Sequence, residues 1–234
     1  DLTGQLEKFG FILCGLNKNE ECVYMRTREH IDYSDPYKSF PFIDPHFQKA
    51  GYLIIDDCYH DTLFPYSELK GTLQKGVAMN VTNGLSKIYV GKQYTPPHYQ
   101  PGEPIFIYRK HNGEGQKRYK SCLTSFCVVT DVIQAKRNGQ LLLSFDKLVS
   151  RIGNKSVFDV SELKSKYDNY FNLVIVEMLY YGYFGEGHNV NMDWLDNNGF
   201  WDRNKYPTLL QLSPEQFKAI LAEGNVDVND VIVD

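Results

Sequence analysis

Gly102-Glu103-Pro104-Ile105-Phe106-Ile107-Tyr108-Arg109, followed after a polar stretch by Leu123 to Ile133, is the part of this 234-residue sequence that decides the fold. Ile105 to Tyr108 is apolar at every position, so it reads as a strand packed on both faces. Leu123 to Ile133 continues the pattern, and Leu141 to Phe145 reads as a further strand. Between them, Asn138-Gly139 supplies the positive φ angles of a tight hairpin. Working outward, Gly51 to Asp56, Val77 to Thr82 and Lys87 to Val90 have strand composition. Phe171 to Tyr181 suits a buried strand better than a surface helix. Pro96, Pro97, Pro101 and Gly102 turn the chain into the Ile105 strand. So many short strands between polar turns predict an α+β chain, mainly antiparallel, built as a curved sheet or barrel with a few flanking helices.

Those helices fall mostly near the end. Ser213-Pro214-Glu215-Gln216 has the form of a capping box with proline at the first helical position, and Phe217, Ile220 and Leu221 follow at helical spacing until Gly224. Asp159-Val160-Ser161-Glu162 opens a second helix through Tyr167, whereas Tyr59 to Glu68 reads as a compact aromatic loop broken at Pro65. At the other end, Phe9 to Leu16, the turn Asn17-Lys18-Asn19-Glu20 and Cys22 to Met25 predict a β-hairpin. From Thr27 to Gln48 periodicity disappears, and Asp35-Pro36, Phe40-Pro41 and Asp44-Pro45 break the chain at short intervals. The expected division is a hairpin unit over 1–28, a linker over 29–49 and a larger unit over 50–234.

The composition, 42% hydrophobic and 23% charged, is that of a globular protein. Apolar runs such as Leu173 to Tyr181 are too short for a membrane-spanning helix. Asp1 to Glu7 has no basic segment followed by an apolar one, and Cys14, Cys22, Cys58, Cys122 and Cys127 are odd in number and form no C-x-x-C pair. Reduced thiols and a cytoplasmic location are the expectation. Asn80-Val81-Thr82 and Asn154-Lys155-Ser156 match a glycosylation tripeptide too common to change that. The net charge of −4 argues against non-specific coating of nucleic acid. Its distribution is uneven: Tyr108 to Lys155 holds ten basic residues against three acids, leaving −11 for the remainder. Such a segment suits a surface facing phosphate, or equally a set of solvated turns.

The chain resembles known families in two places. Leu6-Glu7-Lys8-Phe9-Gly10-Phe11, then Cys14-Gly15 and Cys22-Val23-Tyr24-Met25-Arg26, resembles the C-terminal hairpin of GNAT acyl-CoA-dependent N-acetyltransferases. It covers about the first 28 residues. The glycine-rich loop by which that family holds acetyl-CoA is not found in this chain, so the resemblance gives no residue for that cofactor. None is expected unless an acetyltransferase domain precedes Asp1. From about Phe42 to Asp234 the chain resembles the PUA-like domain, related to the ASCH and EVE groups, that follows a GNAT domain in some bacterial proteins. The matching residues are Tyr59-His60-Asp61-x-Leu63-Phe64-Pro65, Lys87, Gly102-Glu103-x-Ile105-x-Ile107-Tyr108-Arg109, Ser121-x-x-Thr124-Ser125 and Val128-Val129-x-x-Val132. Trp194-Leu195-x-x-x-Gly199-Phe200 and Leu212-Ser213-x-Glu215-Gln216-Phe217 complete the series, and Glu103 stands where the family often has Asp. The resemblance implies a barrel-like fold that in related groups binds RNA or a modified base.

The chemistry-bearing residues sort themselves by company. Arg118 and Lys120 can neutralise phosphate, Thr124 and Ser125 can donate to phosphate or base edges, and Tyr108 or Tyr119 can stack on a base. Lys87 and Arg109 follow from the matched pattern. The expectation is a non-catalytic recognition site for RNA or a modified nucleotide, in a cleft edged by Tyr108 to Ser125. Its rival is an N-acetyltransferase whose catalytic portion lies upstream. Hydrolysis of the ASCH type would need a lysine, a threonine and an acid to converge, and Lys120, Thr124 and Glu103 are the nearest trio. Cys58, His60 and Asp61 invite a nucleophile-and-base reading, but neighbours in sequence do not make a catalytic triad, and His60 reads as a residue that hydrogen-bonds its loop. His188 and Asp193 lack further ligands at metal-binding spacing, so no metal is expected. The hairpin's free strand edges suggest a homodimer through Phe11 to Met25.

Overall fold

The computed structural model describes residues 2–65, 84–92 and 98–233. A helix, Leu2–Lys8, leads into the hairpin of β1 (Ile12–Leu16) and β2 (Cys22–Met25), which form a two-stranded sheet of their own. The larger sheet is built from β3 (Ala50–Asp56), β4 (Ser86–Gly91), β5 (Pro104–Lys110), β6 (Cys122–Arg137), β7 (Gln140–Leu141), β8 (Leu173–Tyr183), β9 (Val190–Asn191) and β10 (Gln211–Leu212). Its order is β10-β3-β5-β6-β8-β4, with β7 and β9 both paired to β6. Among the described strands only β3 and β5 run parallel to each other, from Gly51 opposite Ile105 to Asp56 opposite Lys110. Among the described residues the sheet does not close into a barrel.

The central strand has the predicted two-faced burial. Phe106 and Tyr108 enter one core with Tyr52, Trp201, Phe217 and Ile220, while Ile105 and Ile107 enter another with Leu53, Ile55, Val174 and Val176. A third cluster packs the helices Phe145–Ile152 and Val160–Asn169 on β8 and β4 through Leu148, Leu163, Ile175 and Ile88. The long ribbon of β6 and β8 carries three register irregularities, which allow it to twist and bend. At its far end Asn138 and Gly139 take φ of 49° and 80°, as the hairpin turn requires. Both expected capping boxes are present, at Asp159 with Glu162 and at Ser213 with Gln216.

Three elements differ from expectation. The stretch read as an aromatic loop contains a helix, Asp57–Leu63. Its local propensity is poor, but burying His60 and Leu63 on one side outweighs propensity. The strand expected over Leu141 to Phe145 survives only at Leu141, the last residue of β7, and Phe145–Ile152 is helical. Phe145, Leu148 and Ile152 lie at helical spacing, a signal that the apolar start Leu141-Leu142-Leu143 obscures. The segment 29–49, expected as a linker, packs into the larger unit. Asp35 caps the helix Pro36–Ser39, Phe42, Ile43 and Phe47 are buried, and Ile43 bridges Ile232. Prolines removed its periodicity but not its apolar side chains. The same segment fastens the hairpin unit, since Phe9 packs edge-on against Tyr37 and Phe40, and Phe40 against Tyr181. The strand expected over Val77 to Thr82, the tripeptide Asn80-Val81-Thr82 and Pro96-Pro97 lie outside the described residues.

Candidate nucleotide-binding cleft

Where the register slips between Ile107 and Tyr108, Ile107 faces Ser125 and Tyr108 faces Leu123, so Thr124 is the extra residue of a bulge. Its Oγ1 lies 2.7 Å from His60 Nε2, and Ser125 Oγ donates to that same Oγ1 at 3.4 Å. On its other side His60 Nδ1 is 2.9 Å from Asp61 Oδ1, and Arg109 clamps Asp61 with Nε at 2.7 Å and Nη2 at 2.8 Å. Burial works against the Asp61 carboxylate, but the hydrogen bonds of Arg109 and His60 outweigh it and hold its pKa down at about 2. Burial also lowers the His60 pKa against the pull of Asp61, which keeps the ring neutral. A carboxylate only accepts, so Nδ1 carries the proton and Nε2 accepts from Thr124. The chain Asp61, His60, Thr124 has the connectivity of a triad. His60, Thr124 and Ser125 are nonetheless fully buried, so no substrate reaches the hydroxyl. The network pins the helix Asp57–Leu63 to β5 and β6.

The residues expected to form the site therefore divide. Arg109, Thr124 and Ser125 belong to this sealed network, and Tyr108 is buried with its ring 4.7 Å from Trp201. Lys87, on β4, is 2% exposed, its Nζ 5.7 Å from the ring centres of both Phe64 and Tyr180, and burial lowers its pKa to about 8. Arg118 is ion-paired with Asp193 and Asp196. Tyr119 is exposed, and Lys120 Nζ donates to Glu114 O at 2.7 Å. The trio Lys120, Thr124 and Glu103 does not converge. Glu103 accepts from Gln100 N and faces Lys49, while Thr124 is about 14 Å further along β6, at about 3.4 Å per residue. Much of the basic surplus of Tyr108 to Lys155 is matched locally: Arg109 by Asp61, Lys110 by Asp56, Arg118 by Asp193, Arg151 by Asp131 and Glu177. The pairs join residues far apart in sequence, which hides the balance from a local count. His188 is exposed and Cys58 sits on a helix, not on the strand face it would share with His60. Among the described residues no three His, Cys, Asp or Glu side chains group as a metal site requires, and no helix is long and apolar enough to cross a membrane.

A concave site lies elsewhere, between the helix Asp57–Leu63, β4 and the end of the helix Val160–Asn169. This cleft of about 550 Å³ is lined by Tyr59, Tyr89, Phe158, Tyr170 and Tyr206, with Lys92, Lys110, Lys166 and Asp56. Tyr59 meets Phe158 edge-on at 5.0 Å, and Lys166 Nζ sits 4.1 Å from the Phe158 ring centre and 5.5 Å from that of Tyr59. Lys110 of the basic segment is held by Asp56 at 3.0 Å. Burial pushes the Asp56 carboxyl up, but hydrogen bonds from Asn112 and Lys110 and the charges of Lys110 and Lys117 bring it below its ordinary value. Thus the basic segment lines this cleft through Lys110, with Lys117 near enough to act on Asp56, and not through Arg118. Sequence reasoning missed the lining residues, which come from five separated stretches. A usable signal was the aromatic pair Phe158 and Tyr170 at the two ends of one helix, with Lys166 one turn before Tyr170. A more open depression of about 440 Å³ lies over Arg28 to Tyr33 and Val233.

The arrangement defines an α+β protein with an open, mostly antiparallel sheet whose aromatic cleft opens on one side. No known family's sequence profile matches the chain, and no curated protein matches it. Among solved structures it is similar to one described as the crystal structure of ASCH from Zymomonas mobilis, with 12% identity and a TM-score of 0.43, over 73% of this chain and 94% of that one.

Proposed function

We propose that the larger unit is a PUA-like recognition module that binds RNA or a modified nucleotide, with a base held in the cleft of Tyr59, Tyr89, Phe158, Tyr170 and Tyr206. The observation that carries this reading is the combination of several rings and three ammonium groups around one hollow of about 550 Å³. Rings accept the flat face of any base, and the ammonium groups favour its phosphates. Lys110, Lys117 and, beyond them, Tyr119 and Lys120 give a strand an exposed cationic edge along which to leave the cleft. Arg118 orients this edge through its pairs with Asp193 and Asp196. Fluorescence anisotropy with short single-stranded RNAs tests the reading. Tyr59→Ala and Phe158→Ala should each weaken binding by roughly 1 to 3 kcal/mol, and Lys120→Ala should reduce its salt dependence. A chain with no affinity for RNA or any nucleoside, or ring variants that bind as the parent does, would overturn it.

A second reading is favoured by the hairpin. Ile12, Leu13, Leu16, Val23 and Met25 are all exposed, on both faces of a sheet of only two strands. Strands of that kind belong inside a larger sheet, as in an acyl-CoA-dependent N-acetyltransferase of which this chain would be the C-terminal part, or pair with a second copy. Ile12→Lys with Leu16→Lys abolishes self-association in the second case, as read by sedimentation. Unchanged self-association would exclude the hairpin as the contact.

A further inference from the structure

The charge pattern of the cleft narrows its ligand, an inference that rests on the recognition reading. Of the three ammonium groups among its described lining residues, Lys110 is taken up by Asp56, the one carboxylate among them, which also accepts from Asn112 Nδ2 at 2.9 Å. The other two converge on a single ring: Lys92 Nζ is 5.6 Å and Lys166 Nζ 5.3 Å from the centre of Tyr170. Lys166 also donates to the Tyr170 hydroxyl at 3.1 Å. Among the described residues no carboxylate pairs with either of them.

Lys166 is fixed among Phe158, Tyr59 and Tyr170, and the exposed Lys92 reaches the same Tyr170 ring. An anion seated beside Tyr170 within reach of both ammonium groups gains two attractions that physiological salt screens only in part, and a phosphomonoester carries about two charges at neutral pH. The faces of Tyr206 and Tyr59, which are 67% and 39% exposed, remain open to a base. A hollow of about 550 Å³ is of the size that holds a small organic ligand, not a length of strand.

We infer that Lys92 and Lys166 form a phosphate subsite beside Tyr170, so that the cleft takes one nucleotide bearing a phosphomonoester, whether a free nucleoside monophosphate or the 5′-phosphorylated end of a strand. Isothermal titration of the whole chain with the four common nucleosides and their 5′-monophosphates tests this. The monophosphates should bind roughly tenfold or more tightly than the nucleosides. Lys92→Met and Lys166→Gln should each remove most of that advantage, and added salt should erode it. Lys92 is exposed, so its substitution tests the charge without disturbing packing. A trinucleotide with and without a 5′-phosphate separates the two sources: a phosphate-dependent gain identifies the strand end, and a gain confined to mononucleotides identifies the free ligand. Equal affinity for nucleoside and monophosphate, or an advantage that survives both substitutions, overturns the subsite and leaves base recognition standing. Binding of no nucleoside, nucleotide or RNA overturns both.

Discussion

Replacing Lys87 by methionine should abolish a rise in stability that the parent shows between about pH 8 and 10.5. Lys87 is 2% exposed on β4, between the rings of Phe64 and Tyr180. Burial lowers its pKa from 10.5 to about 8, with Cys127 acting weakly the other way. A lowering of that size corresponds to about 3 kcal/mol in favour of the neutral amine. At pH 7 the amine is largely protonated in both states, so the folded protein bears the cost of a buried charge. As pH rises past about 8 the folded amine loses its proton while the unfolded one keeps it up to 10.5, so the folded state gains stability across that window. Methionine has similar length and no titrating group. Between pH 7 and 10.5 the parent should therefore gain about 3 kcal/mol of stability relative to Lys87→Met, whatever the two stabilities are at pH 7. Urea unfolding followed by tryptophan fluorescence, repeated up to pH 10.5, measures it. A stability difference between parent and variant that is the same at every pH would show that burial does not lower the Lys87 pKa.

The sealed polar network gives a second expectation. Thr124→Val removes the donor to His60 Nε2 inside the core and should cost about 1 to 3 kcal/mol, read by the same unfolding assay. Arg109→Met takes both guanidinium hydrogen bonds from the Asp61 carboxylate, and should cost roughly 2 to 4 kcal/mol. The sign with pH is the same as for Lys87, because folding lowers both pKa values: a carboxylate held down at about 2 contributes its stability above the ordinary value of 3.8 and loses it as pH falls toward 2. Acid unfolding of Arg109→Met should thus begin at higher pH than in the parent. Thiol accessibility gives a further test. Cys14, Cys22 and Cys58 are exposed, whereas Cys122 and Cys127 are buried, the Cys122 thiol pushed up to about 12 and that of Cys127 higher still. A disulfide reagent should modify three thiols in the native protein and five only after denaturation; four or five in the native state would contradict the burial.

The strands were the legible part of this sequence, because Ile105 to Tyr108, Leu123 to Ile133 and Phe171 to Tyr181 are rich in apolar, β-branched and aromatic residues over strand lengths. The capping boxes at Asp159 and Ser213 were legible for a different reason: both partners of each box lie within four residues. What escaped was whatever depends on distant partners. The helix Asp57–Leu63 exists because His60 finds Thr124, 64 residues away. Arg118 read as a phosphate ligand because its partners Asp193 and Asp196 are some 75 positions further on. The cleft was hidden for the same reason, being assembled from residues between Ile54 and Pro207 that touch only in the folded chain.

Whether the aromatic cleft is the recognition site is decided by a structure determined with a nucleoside monophosphate diffused in. The expected density is a base against Tyr59 and Tyr206 with its phosphate between Lys92 and Lys166. A base bound along Arg118 to Ser125, with the aromatic cleft left to solvent, would place recognition outside the cleft and remove the role assigned to it.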